Sequence, residues 1–126
     1  MLLCSFTVSD SEYVGKWKGK DKGDIGFLTL SSEGYSTFEF NGQSMGGKSY
    51  DHQGKKAAMK YTIDDKTSPA SIGFIIIDNE SNTEMGRIKG ILEMKSSDEL
   101  QMAMAFGGGT RPTDYSKDAI VFNRIE

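Results

Sequence analysis

Any chemistry in this chain has to come from a small set of side chains. There is one cysteine, Cys4, and one histidine, His52. A single cysteine excludes an internal disulfide and any cysteine-rich zinc site. A single histidine does not make a histidine-based metal site. No serine or cysteine stands at a recognisable spacing from a base, so no activated nucleophile or acid–base pair is visible. The expectation is a protein that is not an enzyme and carries no cofactor.

Two stretches still bring polar and aromatic groups together. Residues 41–55 read NGQSMGGKSYDHQGK and offer Met45, Tyr50 and His52. They read either as a lid with adaptable contacts or as a loop whose glycines serve only backbone geometry. Residues 107–118 read GGGTRPTDYSKD. Three glycines before Arg111 suggest a phosphate cradle, but the Gly-Lys-Ser/Thr ending and the following helix are missing, which rejects a P-loop. Arg111 could meet an acidic ligand beside Tyr115, or form a structural pair with Asp114 or a stack on Tyr115. The acidic run 78–84 lacks the alternating ligands and glycine of a calcium loop and reads as a solvated hairpin. Asp64-Asp65 reads as a turn.

The elements that must position these groups are strands. Helical periodicity is poor, whereas period-two alternation is common. Leu100, Met102, Met104 and Phe106 share one face of their segment. Ala57, Met59, Tyr61 and Ile63 share one face of theirs, and residues 72–77 are apolar on both faces, as in a deeply buried strand. Near the start, Gly15, Trp17 and Gly19 alternate with Lys16, Lys18 and Lys20, so the only tryptophan points inward between residues that leave room for it.

Eight strands result, at about 13–20, 25–30, 35–40, 56–63, 72–78, 86–94, 99–106 and 119–125. Short turn-rich links make them a meander, and eight antiparallel strands close into an up-and-down barrel without exposed edges. A two-sheet sandwich is the alternative. Expected inward residues include Phe27, Phe38, Phe40, Phe74, Leu92 and Phe122. An eight-stranded barrel is just filled by side chains or holds one small ligand. Met59, Ile76 and Met104 are expected around an apolar hollow, with Phe106 above it.

Length and charge narrow the partners. The 126 residues suit one domain, with 13–126 as the barrel and 1–12 as a flexible N-terminal segment. A net charge of −3 with scattered lysines argues against nucleic acid. No apolar run reaches the ~18 residues of a spanning helix. Met1-Leu2-Leu3-Cys4 reads either as the remnant of an export signal with a lipid-attachment cysteine or as a frayed terminus. The sequence assigns no oligomeric state.

Gly15-Lys16-Trp17 on the first strand of such a meander resembles the lipocalin signature. Lipocalins close one barrel end with that tryptophan and pack a basic residue of the last strand across it. The matching residue here is Arg124. Tyr61-Thr62-Ile63-Asp64, Ser68-Pro69-Ala70-Ser71-Ile72, Gly90-Ile91-Leu92-Glu93 and Arg111-Pro112-Thr113-Asp114-Tyr115 look like a bacterial lipocalin-like (calycin-type) domain family, many of whose members are exported. The chain departs from the wider lipocalins in stopping right after the last strand, so a barrel without a C-terminal helix is expected. The resemblance implies an extracytoplasmic setting and binding of a small apolar or amphipathic molecule at the open end. A filled-barrel structural or protein-interaction domain is the other reading. In the meander, Arg124 lies at the short-loop end, so the two long loops crown the opposite end.

Overall fold

The computed structural model describes residues 12–19, 26–40, 42–105, 109–116 and 119–125. Cys4, Phe106 and the glycines at 107–108 lie outside them. The described chain is all-β, with nine strands: β1 Gly15–Gly19, β2 Phe27–Leu30, β3 Ser36–Phe40, β4 Gln43–His52, β5 Lys55–Asp64, β6 Ala70–Asp78, β7 Thr83–Ser96, β8 Glu99–Ala105 and β9 Ala119–Arg124. They form one closed barrel in sequence order. Every neighbouring pair is antiparallel, including the seam between β1 and β9, where Trp17 faces Arg124. Among the described residues no helix is long and apolar enough to cross a membrane.

The count corrects the expected eight. The stretch 41–55 is not a loop: it contains β4, bounded by turns at Gly42 and at Gln53-Gly54, all with positive φ. A ring of alternating straight strands closes only on an even number, so nine can close only if one strand turns within itself. β4 is that strand. Gln43–Gly46 pair with β3 alone, and Gly47 and Tyr50–His52 pair with β5 alone, with a register shift between Gly47 and Tyr50. Below this fork β3 and β5 meet directly: Tyr35 bridges Lys60 and the Tyr61 N–H donates to the Gly34 carbonyl. Three stems therefore join at one point, where Ser36 is fully buried with its hydroxyl 3.5 Å from the Met59 carbonyl. Only glycine fits at 46. Its φ is +125°, and a Cβ would overlap the Ser36 carbonyl oxygen and Thr37 Cα.

Register sets which side chains enter the barrel. Leu28 and Leu30 on β2 are fully buried, whereas Phe27 sits on the opposite face, half-buried, with the Lys16 ammonium 5.1 Å from its ring centroid. This corrects the expectation that Phe27 points inward; alternation alone does not say which parity is inside. The other named residues hold. Phe38 and Phe74 meet with ring centroids 4.8 Å apart, and Phe40 packs half-buried on the core.

Among the described residues the interior is closely packed. Trp17, Met59, Phe74, Leu92, Met102 and Phe122 have no accessible surface, and Met104 keeps 2%. A void wide enough for water would leave area on its lining. Around the hollow expected at Met59, Ile76 and Met104, Met59 has no accessible surface and Ile76 keeps 6%, so little space is left among the three.

Candidate functional site

The strand directions define two ends. The starts of β1, β3, β6 and β8 and the ends of β2, β5, β7 and β9 lie at the closed end; the turns 53–54 and 79–82 lie at the open one.

At the closed end the signature residues come together. The Trp17 indole N–H donates to the Tyr13 carbonyl at 3.0 Å. The Arg124 guanidinium lies 4.2 Å from the Trp17 ring centroid. It also donates to the carbonyls of Ser97, Val14 and Glu12, at 3.0, 2.8 and 2.6 Å. All three nitrogens are engaged, so Arg124 latches the residues before β1 onto the last strand. Gly15, with φ +146°, begins that strand.

At the open end, Phe40, Met45, Tyr50 and Met85 are half-buried and pack on the core. Met45 is the register partner of Phe38, and Tyr50 of Ala57. The register shift in β4 explains how residues of opposite parity, 45 and 50, both reach the core. The Tyr50 hydroxyl lies 3.5 Å from His52 Nδ1, and burial pushes its phenol above its ordinary value. Three of the expected contacts therefore share one rim. Met59, Ile76 and Met104 lie beneath it in the closed core.

The connection from β8 to β9 goes elsewhere. Arg111 does not pair with Asp114, nor is it among the cations stacked on a described ring. Its Nη1 donates to the carbonyls of Ile72 and Gly90, each at 2.7 Å. Those two residues are partners across β6 and β7. Further on, Thr113, Asp114 and Tyr115 line a depression of about 450 Å³ with Tyr13, Leu92, Glu93, Met94 and the β5–β6 link from Asp65 to Ala70. That link belongs to the closed end. The segment read as part of the mouth is thus drawn along the wall, and Arg111 and Tyr115 stand apart from Met45, Tyr50 and His52.

Tyr115 is unusual within this depression. Its hydroxyl is buried and, alone among buried side-chain polar atoms of the described residues, has no hydrogen-bond partner. Burial, followed by the nearby Glu93 and Tyr13, raises its phenol to about 12.

Sequence reasoning misses Asp78. This carboxylate is buried, accepts the N–H groups of Glu80 and Ser81, and meets Lys55 Nζ at 3.4 Å. The Glu80 N–H leads in holding its carboxyl below the ordinary value, with Ser81 and Lys55 adding to it. Its place at the first position of an acidic turn is the available signal, and its role is to close the β6–β7 hairpin. Among the described residues, no cluster of histidine, cysteine or carboxylates could hold a metal.

Compared with protein-family models, curated proteins and solved structures, the chain matches none of them. Fold and site together define a class: an all-β closed antiparallel barrel with closely packed inward side chains, aromatic and methionine side chains toward one end and an arginine-latched tryptophan at the other.

Proposed function

We propose that this chain is a non-catalytic interaction module: a filled barrel that serves as a scaffold and binds through its outer surface. One observation carries the reading, the absence of accessible surface on the inward side chains from Trp17 up to Met59 and Phe74. A barrel that holds a ligand needs a lined void, and small-molecule pockets begin near ~300 Å³. The lipocalin-like kinship belongs to the same proposal. The Trp17–Arg124 pair and the meander support it, and the ninth strand sets this barrel apart from the eight-stranded pattern.

A second reading has its own support. Phe40, Met45, Tyr50 and Met85 are each half-buried toward the open end and pack on the core. Flexible thioethers and aromatic rings at one end suit an adaptable apolar contact, so a small apolar or amphipathic molecule could rest on the rim without entering the barrel.

Titration with the neutral apolar fluorophore N-phenyl-1-naphthylamine separates these readings. The surface module predicts no saturable binding. Micromolar binding that Met45→Glu and Met85→Glu abolish supports the rim site. Binding that survives both changes and is lost in Met104→Trp places the probe inside and overturns the filled barrel.

A further inference from the structure

The chain has three arginines, and their guanidinium groups are used differently. Each carries five N–H donors in a planar fork. Arg124 spends Nε, Nη1 and Nη2 on three carbonyls and faces the Trp17 ring. Arg87 turns its Nε–Nη2 edge to the carboxylate of Glu84, with contacts of 3.1 and 2.9 Å. Arg111 is anchored by Nη1 alone, on two wall carbonyls. Among the described residues nothing accepts the donors on its Nε or Nη2, and no carboxylate balances its charge.

The free edge of Arg111 is the same edge with which Arg87 grips Glu84. That edge matches two oxygens of one carboxylate in parallel hydrogen bonds. The two wall contacts fix the guanidinium in advance, so little side-chain entropy remains to be lost when a partner arrives. The residue is half-buried, so its charge is partly desolvated with no carboxylate among the described residues against it, and a paired anion would relieve that cost. The surroundings favour an anion as well. Lys89, beside Gly90, is exposed and has no ion pair among the described residues. Asp114, the carboxylate nearest in sequence, turns its Oδ1 to the Ser116 N–H and hydroxyl, at 3.1 and 2.7 Å. On the inner side, the missing side chain of Gly90 is already occupied by packing: a Cβ there would lie 2.9 Å from Met104 Cγ and 2.7 Å from the Ala103 carbonyl oxygen.

We propose that Arg111 is a carboxylate-binding residue on the wall formed by β6 and β7, with Nη1 held by Ile72 and Gly90 and the Nε–Nη2 edge receiving the carboxylate of a ligand or partner. The proposal rests on the reading of this protein as a surface-binding module, and it names the chemistry of one contact.

The test uses the whole protein and the Nε–H resonances of its three arginines, recorded by ¹⁵N NMR at mildly acidic pH. Each signal is assigned by Arg→Lys substitution. If Arg111→Lys fails to fold, Arg87→Lys and Arg124→Lys leave its signal identified by elimination. Acetate, phosphate and neutral acetamide are titrated separately. The expected result is a saturable shift of the Arg111 signal alone with acetate, in the millimolar range that suits one fixed ion pair, and none with acetamide. Three results overturn the proposal: no shift through roughly 50 mM acetate, a weak concentration beside that range; equal shifts of all three arginines; or tighter binding of phosphate than of acetate. None of these touches the probe titration at the rim, so the surface-module reading stands or falls separately.

Discussion

Arg124 and Trp17 are partners across the barrel seam, and the guanidinium sits 4.2 Å from the indole centroid while it binds three carbonyls around it. One side chain thus joins the first and last strands and the turn before β8. Replacing it with Arg124→Met removes the hydrogen bonds and the cation over the ring. The expected cost is about 1–3 kcal/mol, read as a lower urea midpoint at unchanged slope. A midpoint within error of the parent protein would show that the latch contributes nothing.

The fork in β4 makes a prediction about glycines. Gly46→Ala meets both a positive φ and an overlap with the Ser36 carbonyl and Thr37 Cα, so it should cost about 2–4 kcal/mol. Gly42→Ala also meets a positive φ, +75°, but open space, and should cost only about 1–2 kcal/mol. Thermal unfolding of the two variants gives the comparison. Equal losses would mean that the three stems do not converge tightly at Gly46.

Tyr115 predicts an opposite sign. Its hydroxyl is buried without a partner, so Tyr115→Phe should stabilise the protein by about 1 kcal/mol at neutral pH. The phenol is raised from an ordinary 10.0 to about 12. The folded state therefore holds this proton longer than the unfolded chain does. Stability from that difference is fully present below pH 10 and is lost as pH rises through 12. Tyrosinate absorbance should show a phenol titrating near 12 that disappears in Tyr115→Phe, together with part of the alkaline loss of stability, while the raised Tyr50 phenol remains. A destabilised variant, or an unchanged titration, would contradict the buried, unpartnered hydroxyl.

How far the sequence reveals this molecule depends on where alternation is uninterrupted. In 57–63 and 100–104 every second residue is apolar, and the structure turns those faces to the core, with Ala57, Met59, Leu100, Met102 and Met104 buried and Tyr61 and Ile63 half-buried against it. In β2 the alternation is equally clear, but it leaves open whether Phe27 or Leu28 enters the core, and register with β3 decides it. In β4 the Gly46-Gly47 pair and the register shift break the alternation, so the strand reads as a loop. The Asn41-Gly42 dipeptide is the hairpin signal in the sequence, and Phe40 and Gln43 are register partners in the structure. Trp17 and Arg124 are legible as a pair from motif and strand order. The course of Arg111 is not, because its anchors are main-chain carbonyls 39 and 21 residues away, and carbonyls leave no mark in a sequence.

Xenon tests the filled interior most directly, because it enters apolar voids smaller than any ligand and needs no polar contact. Crystals of the protein should be pressurised with xenon and the anomalous density examined. The expected map is empty among Phe38, Met59, Phe74, Met102 and Met104. A xenon atom bound among those side chains would show a cavity where this account has none.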